Sequence, residues 1–246
     1  MTTYAPAIAT AEGRSTTVGD ARGRTLIVAA TLVLAAGVVA IVLLFRPWPV
    51  RNSFLYEELA PVRDAIWTAI LVDAVAFAFI GLSLSLGVCL LAPARGARLA
   101  NLGAVVTTAG GLLFAMGAFA FAAFTWYVTD PMALSIQDGA RFLEFAVANP
   151  EHLMLPQMLG FLLYTIGTLI LAAAMLRSGA VSRWLPIAIV GTTVAQFAVH
   201  DRALDLVQIG AMAVLVLVGV QLARASTAAR TRLADPAMVR QAQVDL

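Results

Sequence analysis

Long apolar runs that are almost free of charged residues limit how this sequence can fold more than any other feature. A helix needs about 20 apolar residues to cross a hydrocarbon layer about 30 Å thick. The candidate spans are Thr25–Phe45, Ala65–Leu91, Leu102–Val128, Leu153–Leu176, Leu185–Val199 and Leu206–Ala223. These runs predict an all-α transmembrane bundle of about six helices, in which the fifth is the shortest.

The composition also favours a chain embedded in a membrane, because 12% of the 246 residues are charged and 61% are hydrophobic. A soluble domain carries about 25% charged residues, so this chain has too little polar surface to face water on all sides. All 16 basic residues are arginine, which excludes a lysine Schiff base. The single cysteine, Cys89, excludes intrachain disulfides and cysteine-rich metal sites.

The distribution of arginine predicts the orientation of the helices. Eleven of the 16 arginines fall on one side of the predicted membrane and five on the other. Cytoplasmic loops carry the excess of basic residues, so both termini are expected in the cytoplasm, and the even number of spans agrees. The Arg- and Ala-rich composition favours a bacterial plasma membrane. The net charge of +2 follows from this cytoplasmic arginine and does not indicate nucleic-acid binding.

The segments outside the spans divide the chain further. Residues 1–23 are predicted to form a disordered cytoplasmic tail, residues 24–223 the transmembrane domain and residues 224–246 a cytoplasmic tail. Two outer loops show helical patterns, near residues 53–60 and near residues 131–148. In the second loop, Asp130-Pro131 resembles an N-cap followed by proline at the first helical position. We expect an amphipathic helix there that lies on the membrane surface.

One acidic residue, Asp73, interrupts the second span. It lies about eight residues into that span, roughly 12 Å from its outer end at the rise of an α-helix. A charged side chain near the centre of a membrane helix costs about 2.5–3.5 kcal/mol on insertion scales. Asp73 is therefore expected to face the bundle interior, to be protonated or to have a partner. Its role is either a protonation-sensitive substrate anchor or a hydrogen-bonded structural carboxyl.

Further polar residues fall in the same outer half of the membrane. Gln157 lies near the start of the fourth span and Gln208 near the start of the sixth. Gln196 lies near the end of the fifth span, which His200 closes. If these faces converge with Asp73, they form a polar vestibule open to the outside. These five residues are the predicted binding set for a small molecule or a lipid headgroup.

A metal or haem site is an alternative that uses both histidines. His152 and His200 could ligate a metal together with Asp201, Asp205 or Glu151, but their spacing matches no signature such as His-Glu-x-x-His. Haem would require the two imidazoles to face each other. The simpler interpretation is two interfacial histidines beside carboxylates, with no metal and no cofactor.

Small residues repeat along the second and third spans. Gly81 and Ser85 on the second, and the segment 107–118 on the third, predict close helix packing rather than a cofactor slot. Phe114 in that segment is interpreted as packing bulk. In the fourth span, Tyr164, Thr165 and Thr168 are placed near mid-membrane, where they either line a cavity or bond to neighbouring backbones.

The hairpin from Gly160 to Thr193 resembles a pattern found in small multi-pass membrane proteins of unknown function from bacteria of actinobacterial type. It comprises a Gly- and Leu-rich helix, the turn Leu176–Trp184 and a returning helix. The resemblance implies a topology and no activity.

Three functions remain open. The first is a transport-like protein that binds a small ligand or a lipid. The second is a structural or regulatory subunit that docks another membrane protein or its own copy. The third is a membrane enzyme that depends on haem or a metal. The clustering of polar residues on the outer side favours the first. We find no phosphate-binding loop with lysine, no Gly-x-Ser-x-Gly elbow and no zincin pattern, so the sequence contains no obvious enzyme active site.

Overall fold

Helices make up nearly all of the chain that the structure describes. The structure is a computed structural model and describes residues 9–46, 55–92, 96–179 and 181–233. Within these ranges there are eight α-helices, one short 3-10 helix (Ala60–Val62) and no strand. The all-α prediction is therefore confirmed. The α-helices are α1 Ala9–Leu44, α2 Tyr56–Leu59, α3 Arg63–Leu91, α4 Ala97–Val128, α5 Ile136–Ala148, α6 Pro150–Ser178, α7 Trp184–Ala198 and α8 Asp201–Leu233.

Five helical segments are long and apolar enough to cross a membrane. They are Arg22–Leu44, Tyr56–Leu91, Ala97–Val128, Pro150–Ser178 and Asp201–Ala225. The remaining apolar helix, α7, has 15 residues, which is about 22 Å at the rise of an α-helix and shorter than a hydrocarbon core of about 30 Å. The chain thus has the helices of an integral membrane protein, and each predicted span coincides with one of them.

The two ends of the described chain are more helical than predicted. α1 begins at Ala9, so residues 9–23, predicted to be disordered, are helical. A helix propagates readily once a stable span has nucleated it, and no proline interrupts this segment. α8 likewise continues to Leu233, into the predicted tail. Residues 1–8 and 234–246 of the two predicted tails lie outside the described residues.

The outer-loop helices exist but begin later than predicted. α5 begins at Ile136, because Ser135 and not Asp130 is its N-cap: Ser135 Oγ accepts a hydrogen bond from the Asp138 amide at 3.2 Å. Asp130 Oδ1 instead accepts a hydrogen bond from the Met132 amide at 2.9 Å, in the preceding turn. The first loop helix begins at Tyr56, and residues 53–54 of its predicted range lie outside the described residues.

α4 and α6 pack against each other through glycines. A Cβ atom built on Gly110 would overlap the backbone nitrogen of Tyr164, and one built on Gly160 would overlap that of Phe114. In lipid, small residues let two helix backbones approach closely, so that van der Waals packing holds them together. We call this contact the glycine seam; its members are Gly103, Gly110 and Gly117 on α4 and Gly160 and Gly167 on α6.

α3 also meets α4 through small residues, as predicted. A Cβ atom built on Gly81 would lie 3.6 Å from the Cα of Gly111. Thr108 Oγ1 donates a hydrogen bond to Ser85 Oγ at 3.1 Å. Ser85 Oγ in turn donates to the carbonyl of Ala104 at 3.2 Å. Glycine contacts and these hydrogen bonds together confirm the packing interpretation of this segment.

A polar cluster joins the beginning of α3 to the end of α4. Arg63 Nη1 lies 3.2 Å from Asp130 Oδ1 and donates to the carbonyl of Thr129, also at 3.2 Å. Trp126 Nε1 donates to Asp64 Oδ1 at 2.8 Å. These contacts fix the first residues of α3 against the end of α4. They therefore also fix the position of Asp73, further along α3, relative to α4.

A pair of glycine substitutions tests the seam. Gly110→Ala places a methyl group against the backbone of α6 and should lower the free energy of unfolding by about 1–3 kcal/mol, in the range of overpacked cores. Gly191→Ala on α7 meets no atom within 4 Å, and should be neutral or stabilising because alanine favours helix. Thermal unfolding in detergent provides the comparison; equal melting temperatures for the two variants would contradict the seam.

Candidate ligand-binding cavity

A cavity of about 330 Å³ lies in one half of the bundle. Its walls come from the end of α1, the first half of α3, the middle of α4, the first two thirds of α6, the last two thirds of α7 and the first half of α8. Successive spans alternate in direction, so these segments lie at the same end of the bundle. The arginine distribution predicts that this end faces outward.

Four of the five predicted binding residues line this cavity: Asp73, Gln157, Gln196 and Gln208. They stand on α3, α6, α7 and α8, so their convergence arises from tertiary packing and not from one sequence motif. The fifth residue, His200, does not line it. It is exposed in the short link between α7 and α8, where water can hydrate the imidazole. The binding role of the four residues stays a prediction.

The histidine and acidic residues of the metal alternative are not brought together. His152 is exposed and its Nε2 lies 3.6 Å from Glu151 Oε1. Asp201 is exposed at the start of α8, and Asp205 forms an ion pair with an arginine. In the part of the chain that the structure describes, no group of three or more His, Cys, Asp or Glu could hold a metal ion. The proposed ligand set for a metal ion is therefore not assembled among the described residues.

Asp73 is the most unusual member of the cavity wall. Its Oδ1 is inaccessible to solvent and accepts no hydrogen bond from any described residue. A buried oxygen without a donor is destabilising, and more so when it carries charge. The structural interpretation of Asp73 required a hydrogen-bonded carboxyl. Oδ1 receives no such bond from the described residues, and the anchoring role of Asp73 stays a prediction.

An aromatic cluster stands next to Asp73. Phe77, one turn further along α3, has its ring centroid 4.3 Å from that of Phe114 and 4.5 Å from that of Tyr164. All three line the cavity, together with Thr168. Of the two roles predicted for Tyr164 and Thr168, lining a cavity or bonding to neighbouring backbones, the structure shows that they line the cavity. The interpretation of Phe114 as packing bulk was incomplete, because hydropathy does not reveal which face of a helix meets a cavity.

The glycine seam sets the position of three cavity residues. Gly117 lies against the backbone of Gln157 in the same way as Gly110 lies against Tyr164. Phe114, which lies opposite Gly160, forms part of the same contact. Backbones in contact cannot slide past each other. The side chains of Gln157, Tyr164 and Phe114 therefore keep fixed positions relative to one another along the cavity wall.

An ion pair that sequence reasoning missed also lines the cavity. Arg46 Nη1, just after α1, lies 3.0 Å from Asp205 Oδ1 in α8. The two side chains are only 17% and 14% exposed, so each charge depends on the other for compensation. Arg46 was counted only for membrane orientation. The signal that could have revealed the pair was Asp205, an acidic residue directly before the apolar run Leu206–Ala223.

Comparison with protein-family models, curated proteins and solved structures finds no match to this chain. The chemistry of the cavity is the basis on which a function can be assigned.

The ion pair can be tested by a double-mutant cycle with Arg46→Gln and Asp205→Asn. We expect a coupling energy of about 1–3 kcal/mol, because the charges are largely removed from solvent and in contact. The exposed pair Glu151–His152 serves as the control and should show coupling close to zero. Each cycle requires the unfolding free energies of the wild type, the two single variants and the double variant, measured in mixed micelles. Equal coupling in both cycles would contradict the assignment.

Proposed function

We propose that this protein binds a small amphipathic molecule in the cavity, from the outer side of a bacterial plasma membrane, as a binding or transport-like protein. One observation carries the proposal: Asp73, Gln157, Gln196 and Gln208 converge from four helices on one space inside an otherwise apolar bundle. Polar side chains that served packing alone would bond to neighbouring helices, as Ser85 and Thr108 do.

The energetics of membrane proteins supports a ligand site. Ionisable residues within membrane spans are costly to keep and mark substrate pathways or proton relays. Elsewhere, α4 closes against α3 and α6 through glycine contacts, so this chain packs tightly where packing alone is required. The cavity volume of about 330 Å³ falls at the small end of the range of small-molecule sites, about 300–1,000 Å³.

The walls of the cavity define the kind of molecule that fits. Each glutamine side chain presents both an acceptor and donors, and can orient a polar group of the ligand. Phe77, Phe114 and Phe161 present apolar surface to the same space. A molecule with a polar head and a compact apolar body can bond to the glutamines and pack against the phenyl rings. A fully polar solute would make no apolar contact with those rings.

A cavity-filling variant tests this proposal. Ala211 lines the cavity, whereas Ala213, two residues away on α8, is exposed on the outer surface of the bundle. Ala211→Phe should fill the space, and Ala213→Phe should leave it unchanged. We expect native mass spectra of gently extracted wild type and Ala213→Phe to carry the extra mass of a small molecule, and that of Ala211→Phe to lack it.

Melting temperatures of the two variants check that both are folded. A wild-type spectrum without added mass, and identical to that of Ala211→Phe, would contradict a tightly held ligand. A stoichiometric complex with another membrane protein, present in all three samples, would instead favour the alternative function as a subunit of a larger assembly.

A further inference from the structure

The charges that the described residues place in the cavity wall do not balance. Among these residues, Arg46, Asp73 and Asp205 have charged side chains that line the cavity. Arg46 and Asp205 pair with each other at 3.0 Å, which leaves the carboxyl of Asp73 as the remaining charge. No ion pair joins Asp73 to a basic side chain anywhere in the described ranges of the chain. An acidic group without a counter-ion, in a cavity within a membrane, requires a positive partner to stay ionised at low cost.

The surroundings of Asp73 suit an organic cation rather than a bare ion. Metal cations such as Ca²⁺ take several oxygen ligands at once, and no cluster of three acidic or metal-binding side chains occurs among the described residues. Asp73 has instead the aromatic cluster of Phe77, Phe114 and Tyr164 as its neighbour on the cavity wall. The face of an aromatic ring attracts an ammonium group through its quadrupole.

We infer that the ligand is an amphipathic organic monocation, with its ammonium group at the Asp73 carboxyl and its apolar body against the phenyl rings of Phe77 and Phe114. This inference rests on the proposed function, because it names the chemical class of the molecule in the cavity. The ammonium N–H groups donate to the carboxylate of Asp73, which lines the cavity. The side-chain oxygens of Gln157, Gln196 and Gln208 can accept the remaining donors.

Three small probes that share a phenyl body and differ in charge separate this inference from simple hydrophobic binding. They are phenethylammonium, the neutral phenethyl alcohol and the anionic phenylacetate, titrated by calorimetry into the full-length protein in nanodiscs at neutral pH. The ammonium should bind on the order of tenfold more tightly than the alcohol, the ratio expected for a favourable difference of about 1.4 kcal/mol. Phenylacetate should bind more weakly than either.

Variants at Asp73 test whether this carboxyl causes the preference. In Asp73→Asn the ammonium and the alcohol should bind equally, whereas Asp73→Glu should retain a preference for the ammonium. Glu144→Gln, which removes an exposed carboxylate on α5 outside the cavity, should leave the preference unchanged. Asp73→Asn removes a buried charge and is expected to fold; its melting temperature checks this.

The outcomes distinguish this inference from the proposed function. If the alcohol or phenylacetate binds as tightly as the ammonium, and Ala211→Phe abolishes that binding, the cavity is a ligand site but not one for cations. Absence of ammonium binding at millimolar concentration also overturns the cation inference, while the added mass in the native spectrum still decides the proposed function. A preference that survives in Asp73→Asn places the cation elsewhere and equally overturns the inference.

Discussion

The rest of the structure depends on the close approach of α4 and α6 at the glycine seam. Lipid supplies no hydrophobic force between helices, so association relies on van der Waals packing and hydrogen bonds. The seam provides that packing along much of both helices, and it fixes the register of Gln157, Tyr164 and Phe114 by backbone contact. α7, with its 15 residues, cannot close the bundle over its full height, and the cavity lies beside its last two thirds.

Two acidic residues in the cavity wall have different environments. Asp205 is compensated by Arg46, in an ion pair that also links the end of α1 to the start of α8. Asp73 has aromatic neighbours and an oxygen that receives no donor from the described part of the chain. One carboxylate therefore contributes to the assembly of the helices, and we propose that the other binds the ligand. If the described residues supply all of its charges, the cavity can select a ligand by charge while its wall remains largely apolar.

Hydropathy predicted the helices well, because a run of about 20 apolar residues has few structures open to it in a membrane. Depth along a span then brought Asp73, Gln157, Gln196 and Gln208 to one level, and the structure adds that they share one cavity. Depth alone does not give the direction of a side chain, and His200, expected at the same level, does not line the cavity. Local hydrogen bonding decided the start of α5, where Ser135 competes with Asp130 as the cap. The ion pair between Arg46 and Asp205 connects the end of α1 to α8, far apart in the sequence. A local sequence pattern cannot predict that two such distant residues are in contact.

The proposed function depends on a cavity within the bundle that polar side chains help to line and that water reaches from the outer side. Thiol accessibility in intact membranes tests it most directly. In a Cys89→Ser background, which removes the single native thiol, Gln196→Cys places a thiol in the cavity wall. Val194→Cys places one on the same helix at a position where the side chain is 59% exposed on the bundle surface and is expected to face lipid. The account predicts that a small membrane-impermeant thiol reagent added outside labels the first variant and not the second. Equal labelling of both, or labelling of Val194→Cys alone, would contradict it.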